Sequence, residues 1–157
     1  MASHARLLLE ELLAALRADL GSYDLSTYSG TPRVVIADGG RPPLTPPYLL
    51  ISAPAPRSSY DANLGEYLIA GRCEWWGYVA APAETTEARA FAALDFASEV
   101  MARVQDAHAD PANTTLYTTM QLLIGVLDVF ADGPDLAASE AVVHGEITYQ
   151  AVLTRGA

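Results

Sequence analysis

The chain has 157 residues and a mass of 16.7 kDa, enough for one ordinary domain and too little for two. Hydrophobic residues make up 51% and charged residues 18%, so the composition excludes a disordered chain and supports a substantial core. Nine arginines, no lysine and 19 acidic residues leave a net charge of −10, which excludes a protein that grips nucleic-acid phosphates through clustered cations.

In chain order, residues 4–20 predict an amphipathic helix. Leu9, Leu12, Leu13, Leu16 and Leu20 recur at helical spacing, Ser3 is placed to cap the start, and Gly21 suits a left-handed end. Arg33–Ala37 is a short strand closed by the turn residues Asp38-Gly39-Gly40. Pro42, Pro43, Pro46 and Pro47 hold the next loop extended, since proline fixes φ and disfavours helix before it. Tyr48–Ala53 is a second strand, followed by an irregular loop over residues 54–65. Glu66–Ala81 is the longest strand, with Tyr67, Ile69, Cys73, Trp75 and Val79 on one face and Leu68, Arg72, Glu74, Trp76 and Tyr78 on the other. After Pro82, Thr85 or Thr86 caps a helix running to Ala107, with Phe91, Leu94, Ala97, Met101 and Val104 as its apolar stripe. Asp110-Pro111 breaks it. Thr115–Phe130 reads mainly as strand, although Leu122, Leu123, Val126, Leu127 and Phe130 also suit a buried helix. Asp132-Gly133-Pro134-Asp135 is a turn, and Ala141–Thr154 is the last strand. The order α-β-β-β-α-β-β over residues 1–157 predicts a single α+β domain, with a mainly antiparallel sheet and two helices packed on one face.

Two features point outward. A strand of 15 residues spans about 50 Å, whereas a folded domain of this length has a radius of gyration of about 15 Å. The two long strands therefore either bend, at Gly71, Gly77 and Gly145, or project as an arm. Trp75 beside Trp76 is the second feature. Neighbours in a strand face opposite ways, so one helix layer covers only one of them, and the other needs a loop or another subunit.

Catalytic signals are weak. No G-x-S-x-G elbow, P-loop, G-x-G-x-x-G or H-E-x-x-H is present, and His4, His108 and His144 share no ligand spacing. His144 and Glu146 share a strand face and form at most an acid–base pair with no nucleophile beside it. Cys73 is the single cysteine and is expected to be an inert, packed thiol. The Asp132–Asp135 loop lacks the alternating oxygen ligands of an EF-hand, and Asp106 and Asp110 flank a helix end. The expectation is of no catalytic residue, no metal and no cofactor. The Leu7–Leu9 run is broken by Glu10 and Glu11, so neither a secretory leader nor a membrane span is expected, and synthesis in a reducing interior is.

Size and element order together resemble the tail terminator (tail-completion) proteins of long-tailed bacteriophages with non-contractile tails. A leucine-rich opening helix, Leu7 to Leu20, precedes short strands. The long strand with Arg72-Cys73-Glu74-Trp75-Trp76-Gly77-Tyr78-Val79 leads into the helix Glu87–Ala107. A hairpin of Leu122–Phe130 and Ala141–Thr154 around Asp132-Gly133-Pro134 closes the chain. The resemblance implies a ring, usually hexameric, on the head-proximal end of the tail tube of a virion made in the host cytoplasm. The ring stops tube polymerisation and presents a surface to the head–tail connector. Its partners are then other copies of itself, the tail-tube protein and the connector, with DNA only passing through the lumen, and with no membrane and no cofactor. Six copies would carry a charge of about −60, and any share lining the lumen repels DNA and lets it slide.

In a ring, the surplus apolar surface gains a destination through edge-to-edge contact or an exchanged arm. Trp75 or Trp76 is the expected packing anchor, with Arg72 and Glu74 on the polar side of the strand. Asp132 and Asp135 lie in one of three loops (38–47, 54–65 and 131–139) that are candidates for partner contact. The competing readings are another small head–tail joining or tail-tube component, or an α+β ligand-binding domain in which Tyr48, Tyr67 and the tryptophans line a pocket.

Overall fold

The computed structural model describes residues 2–20, 23–28, 30–39, 45–61, 65–80, 85–131 and 140–154. Among these residues three helices, α1 (His4–Leu16), α2 (Thr86–Ala109) and α3 (Thr114–Thr118), accompany ten strands. Four of the strands are two-residue ladders in the stretch after α1: β1 (Asp19–Leu20) with β2 (Tyr23–Asp24), and β3 (Thr27–Tyr28) with β4 (Thr31–Pro32). The remaining six are β5 (Val34–Ile36), β6 (Tyr48–Ile51), β7 (Ala55–Asp61), β8 (Glu66–Ala80), β9 (Gln121–Phe130) and β10 (Glu140–Thr154). They form one sheet in the order β5-β6-β8-β10-β9, with β7 also paired to β8. All its pairings are antiparallel except β5 with β6. That pair runs parallel, with Val34, Val35 and Ile36 opposite Leu49, Leu50 and Ile51. The protein is thus α+β, with a mainly antiparallel sheet.

β8 and β10 pair without interruption over 15 residues, from Glu66 opposite Thr154 to Ala80 opposite Glu140. With β10 along one side of β8, the other side is divided between β6, opposite Trp75–Tyr78, and β7, opposite Glu66–Arg72. Ser52 sits at the change-over and ties it down: its Oγ accepts from Glu74 N at 2.7 Å and its own N–H donates to Glu74 O at 2.8 Å.

Strand parity then separates the faces. Cys73, Trp75, Val79, Val143, Ile147 and Tyr149 join Leu8, Leu12 and Leu16 of α1 and Phe96, Val100 and Val104 of α2 in one core. Trp75 is 1% exposed, and its indole lies over Gly145, where a Cβ would overlap both that ring and the Gly125 carbonyl. Gly71 and Gly77 likewise leave room for the rings of Tyr149 and Phe96. A register shift between His144 and Gly145 leaves Leu127 of β9 without an opposite residue, a bulge beside that close approach. On the other face Tyr48 stacks on Tyr78 with ring centroids 4.5 Å apart, and with Leu50, Val35, Ala37 and Trp76 forms a second, small cluster.

Several expectations are corrected. The first helix ends at Leu16, capped by Arg17, whose guanidinium donates to Val34 O at 2.9 and 3.0 Å; Gly21, expected to end it, lies outside the described residues. Residues 55–61 are strand β7, because β8 outruns β6 and its free edge recruits the next segment. The start of the expected 115–130 strand is helix α3. Both oxygens of Glu11 accept from Thr115 N and Leu116 N, at 2.9 and 3.0 Å, a cap supplied from α1 that local sequence does not reveal. The α2 stripe is rotated from the expected one. Ala93, Phe96, Ala97, Val100 and Val104 face the core with Arg103, while Phe91 and Leu94 are exposed. The reason is Arg103: it is buried, paired with Glu99 at 3.2 Å, and donates to the carbonyls of Leu16, Ala18 and Tyr23. Turning Arg103 inward toward α1 carries Phe91 and Leu94 outward. Ser3 and Thr85 cap α1 and α2 as expected, accepting from Arg6 N and Ala88 N, both at 3.2 Å.

The rotation of α2 is directly testable by urea denaturation: Phe96→Ala is expected to cost about 3–5 kcal/mol, and Phe91→Ala below about 1 kcal/mol. Arg103→Met, which removes the donor to three carbonyls, is expected to cost about 3 kcal/mol by the same measurement.

Candidate interaction surface

The sheet face turned away from the helices carries the functional candidates. Even-numbered residues of β8 point there, so Arg72, Glu74 and Trp76 line up on it, and β10 adds His144, Glu146 and Thr148 opposite them. Arg72 Nε donates to Glu146 Oε2 at 2.7 Å and its Nη2 to Glu74 Oε1 at 3.3 Å. The bond and charge of Glu146 raise the Arg72 guanidinium above its usual pKa, keeping it charged at any relevant pH. His144 lies flat against Trp76, with ring centroids 5.2 Å apart and planes 7° apart. Its Nε2 is 3.3 Å from Glu74 Oε1, off the line of a hydrogen bond, and its Nδ1 is 3.6 Å from Asp128 Oδ2 on β9. One cation, one imidazole and three carboxylates from three adjacent strands therefore form a cross-strand network. Glu146 turns to Arg72 rather than to His144, so the two do not form the acid–base pair that their spacing suggested.

Below this network the same face is an open groove of about 560 Å³, lined in part by Arg57, Arg72, Gln121, Thr148 and Gln150. Its walls mix polar and apolar residues, and of its two arginines Arg72 is already paired with Glu74 and Glu146.

The expected interface residues divide. Arg72, Glu74 and Trp76 come together on the outer face, with Trp76 half-buried against His144 and the Tyr48 cluster. Trp75 is corrected: parity places it under the helices in the core, so it is not available to a partner. Asp132 and Asp135 lie outside the described residues. The suggested ligand pocket does not assemble, because Tyr48 is buried on the outer face, Trp75 on the inner one, and Tyr67 packs on Tyr60 near the far end of β8, with ring centroids 5.1 Å apart.

The histidines do not converge. His4 is part-buried beside Tyr149, and burial pulls its pKa down against the opposing pull of Glu11. His108, in the last turn of α2, places Nε2 2.9 Å from Thr119 O. Cys73 is buried, and desolvation, helped by Glu74, pushes its pKa up to about 12.

Strand periodicity could have found Asp128 as a partner of His144, but the bulge at Leu127 shifts parity within β9 and hides it. Apolar side chains are also exposed on β9, where Leu123 and Phe130 lie on the outer face opposite Thr148 and Val142 and Leu127 is the bulged residue, and on the helix side on α2 (Phe91 and Leu94). Arg103 turns one flank of α2 toward α1, and at 100° per residue Leu94 falls on the opposite flank.

No family model matches the chain, and no curated protein matches it. Among the described residues no helix is long and apolar enough to cross a membrane, and no group of three or more His, Cys, Asp or Glu side chains is placed to hold a metal ion.

Cys73 gives a measurable pH dependence. With the thiol held protonated in the fold but ionising near 9 once unfolded, the folded chain binds the extra proton, so stability is full below pH 9 and falls by about 1.4 kcal/mol per pH unit above it until about pH 12. A thiol reagent at pH 8 is expected to leave native Cys73 unmodified and to label it on unfolding; rapid labelling of the native chain would contradict this burial.

Proposed function

We propose that this chain is a structural protein of a long, non-contractile phage tail: a tail terminator that forms a ring on the head-proximal end of the tube, stops its growth and presents the surface for head joining. The observation that carries the reading is the set of uncovered apolar side chains on the edge strand β9 and on α2: Phe91, Leu94, Leu123, Leu127 and Phe130 are 45–58% exposed. Fully burying such a side chain stabilises by roughly 1.5–3 kcal/mol, so finishing the burial of these five is worth roughly 4–7 kcal/mol. Association costs about 4–15 kcal/mol of lost rigid-body freedom. This set alone is therefore marginal for a stable complex, which suits a subunit that assembles on a template, the end of a tube, rather than spontaneously in solution.

Two further features support the reading. Beyond Gln150, the last β10 residue paired to β9, the β7–β8–β10 ribbon continues with Tyr60, Leu68 and Val152 exposed, which suits an arm reaching a neighbour. The net charge of −10 per copy suits a channel through which DNA slides.

The experiment is reconstitution. Purified chain added to polymerising tail tubes is expected to give tubes of fixed length with capped ends in negative-stain micrographs. Tubes that keep elongating with bare ends at saturating chain would refute the proposal.

A further inference from the structure

We infer that β9 is a strand-addition edge and that its occupant is the β7 edge of a second copy of this chain, paired antiparallel. The inference specifies the contact within the ring proposed above and rests on that reading for closure into a ring. Among the described residues, β9 pairs only with β10, while on the other side of the sheet β7 pairs only with β8 and the three-residue β5 only with β6, so each side carries an unpaired edge. β9 runs for ten residues with no proline and a single charge, Asp128. A long, apolar, nearly uncharged edge presents a row of unpaired N–H and C=O groups to another chain, and none of the usual devices that blunt an edge is present along it beyond the bulge at Leu127.

Three properties select β7 as the occupant. The first is chain sense. β7 is antiparallel to β8, β8 to β10 and β10 to β9, so β7 and β9 run in opposite directions. A second copy that continues the sheet in the same orientation therefore brings its β7 antiparallel to β9, the better-bonded arrangement.

The second is facing. Arg57 lies opposite Ala70, on the side of β8 that carries Arg72 and Glu74, and Asp128 lies opposite His144 on the same side of β10. Continuing the sheet keeps Arg57 of the incoming copy on the face that holds Asp128.

The third is charge. Arg57 makes no ion pair among the described residues, and Asp128 has only the His144 nitrogen at 3.6 Å, so a register that sets them side by side supplies each with a partner. Pairing β9 with another β9 supplies no cation to either edge. Contact between unlike edges is head-to-tail, the kind that closes into a ring when its rotation divides the circle.

The test is disulfide trapping in the full-length chain. Under mild oxidation, the double variant Arg57→Cys/Asp128→Cys is expected to give a ladder of covalent multimers on non-reducing gels, alone or on tail tubes, while each single variant gives none. Should the Asp128 substitution unfold the chain, Ser58→Cys with Leu127→Cys tests the same register. A dimer from Asp128→Cys alone would replace the inference with a two-fold β9 contact, and absence of a ladder both in solution and on tubes would overturn it. A ladder without capped tubes upholds the strand contact and removes the tail reading; capped tubes without a ladder do the reverse.

Discussion

The uninterrupted ladder between β8 and β10 is the constraint on which the rest of the structure depends. Because its 15 residue pairs hold one register from end to end, parity is preserved along both strands, and every side chain is committed to the helix face or the outer face. A slip of β8 by one residue would send Trp75 and Cys73 outward and bring Arg72 and Glu74 under the helices, uncovering the largest core ring and burying charge. The glycines keep that register workable. Gly71, Gly77 and Gly145 each sit where a neighbouring ring crosses the strand, so the sheet accepts Tyr149, Phe96 and Trp75 at backbone distance instead of bending away from them.

The same ladder creates the surfaces that have no partner among the described residues. A β8 longer than the helix layer requires recruits β7 at one end, and a β10 paired to β9 over only part of its length leaves a ribbon of three strands beyond the core. On the opposite side, β9 closes the sheet with leucines and a phenylalanine rather than with charges. Arg103 contributes from a distance: by reaching three carbonyls around the end of α1 it sets the rotation of α2, and that rotation leaves Phe91 and Leu94 facing outward. A buried hydrogen-bonding need in the core and the exposed apolar side chains of α2 are thus two consequences of one helix orientation.

The assembly role proposed above draws on these features together. The centre of the outer face is a cross-strand polar network in which Arg72 is held by two carboxylates. The exposed apolar area of β9 sits at the sheet margin, where backbone groups are also free to pair, and apolar contact combined with strand hydrogen bonds makes a stronger junction than either alone.

Much of the architecture was legible in the amino-acid sequence, because period and punctuation are local. Alternation along residues 66–80 assigned the two faces of the central strand correctly, Ser3 and Thr85 marked both helix starts, and Cys73 read as a packed thiol. What the sequence could not decide depended on atoms far away along the chain. The cap that makes residues 114–118 helical comes from Glu11, the strand character of residues 55–61 comes from the free edge of β8, and the face that α2 buries is chosen by carbonyls at Leu16, Ala18 and Tyr23. Arg72, Glu74 and Trp76 could be placed on one surface from strand parity alone, whereas the pairing of His144 with Asp128 required the bulge at Leu127, which exists only once β9 lies against β10. Local propensity settles which residues start and alternate; long-range partners settle which of several compatible conformations and faces is kept.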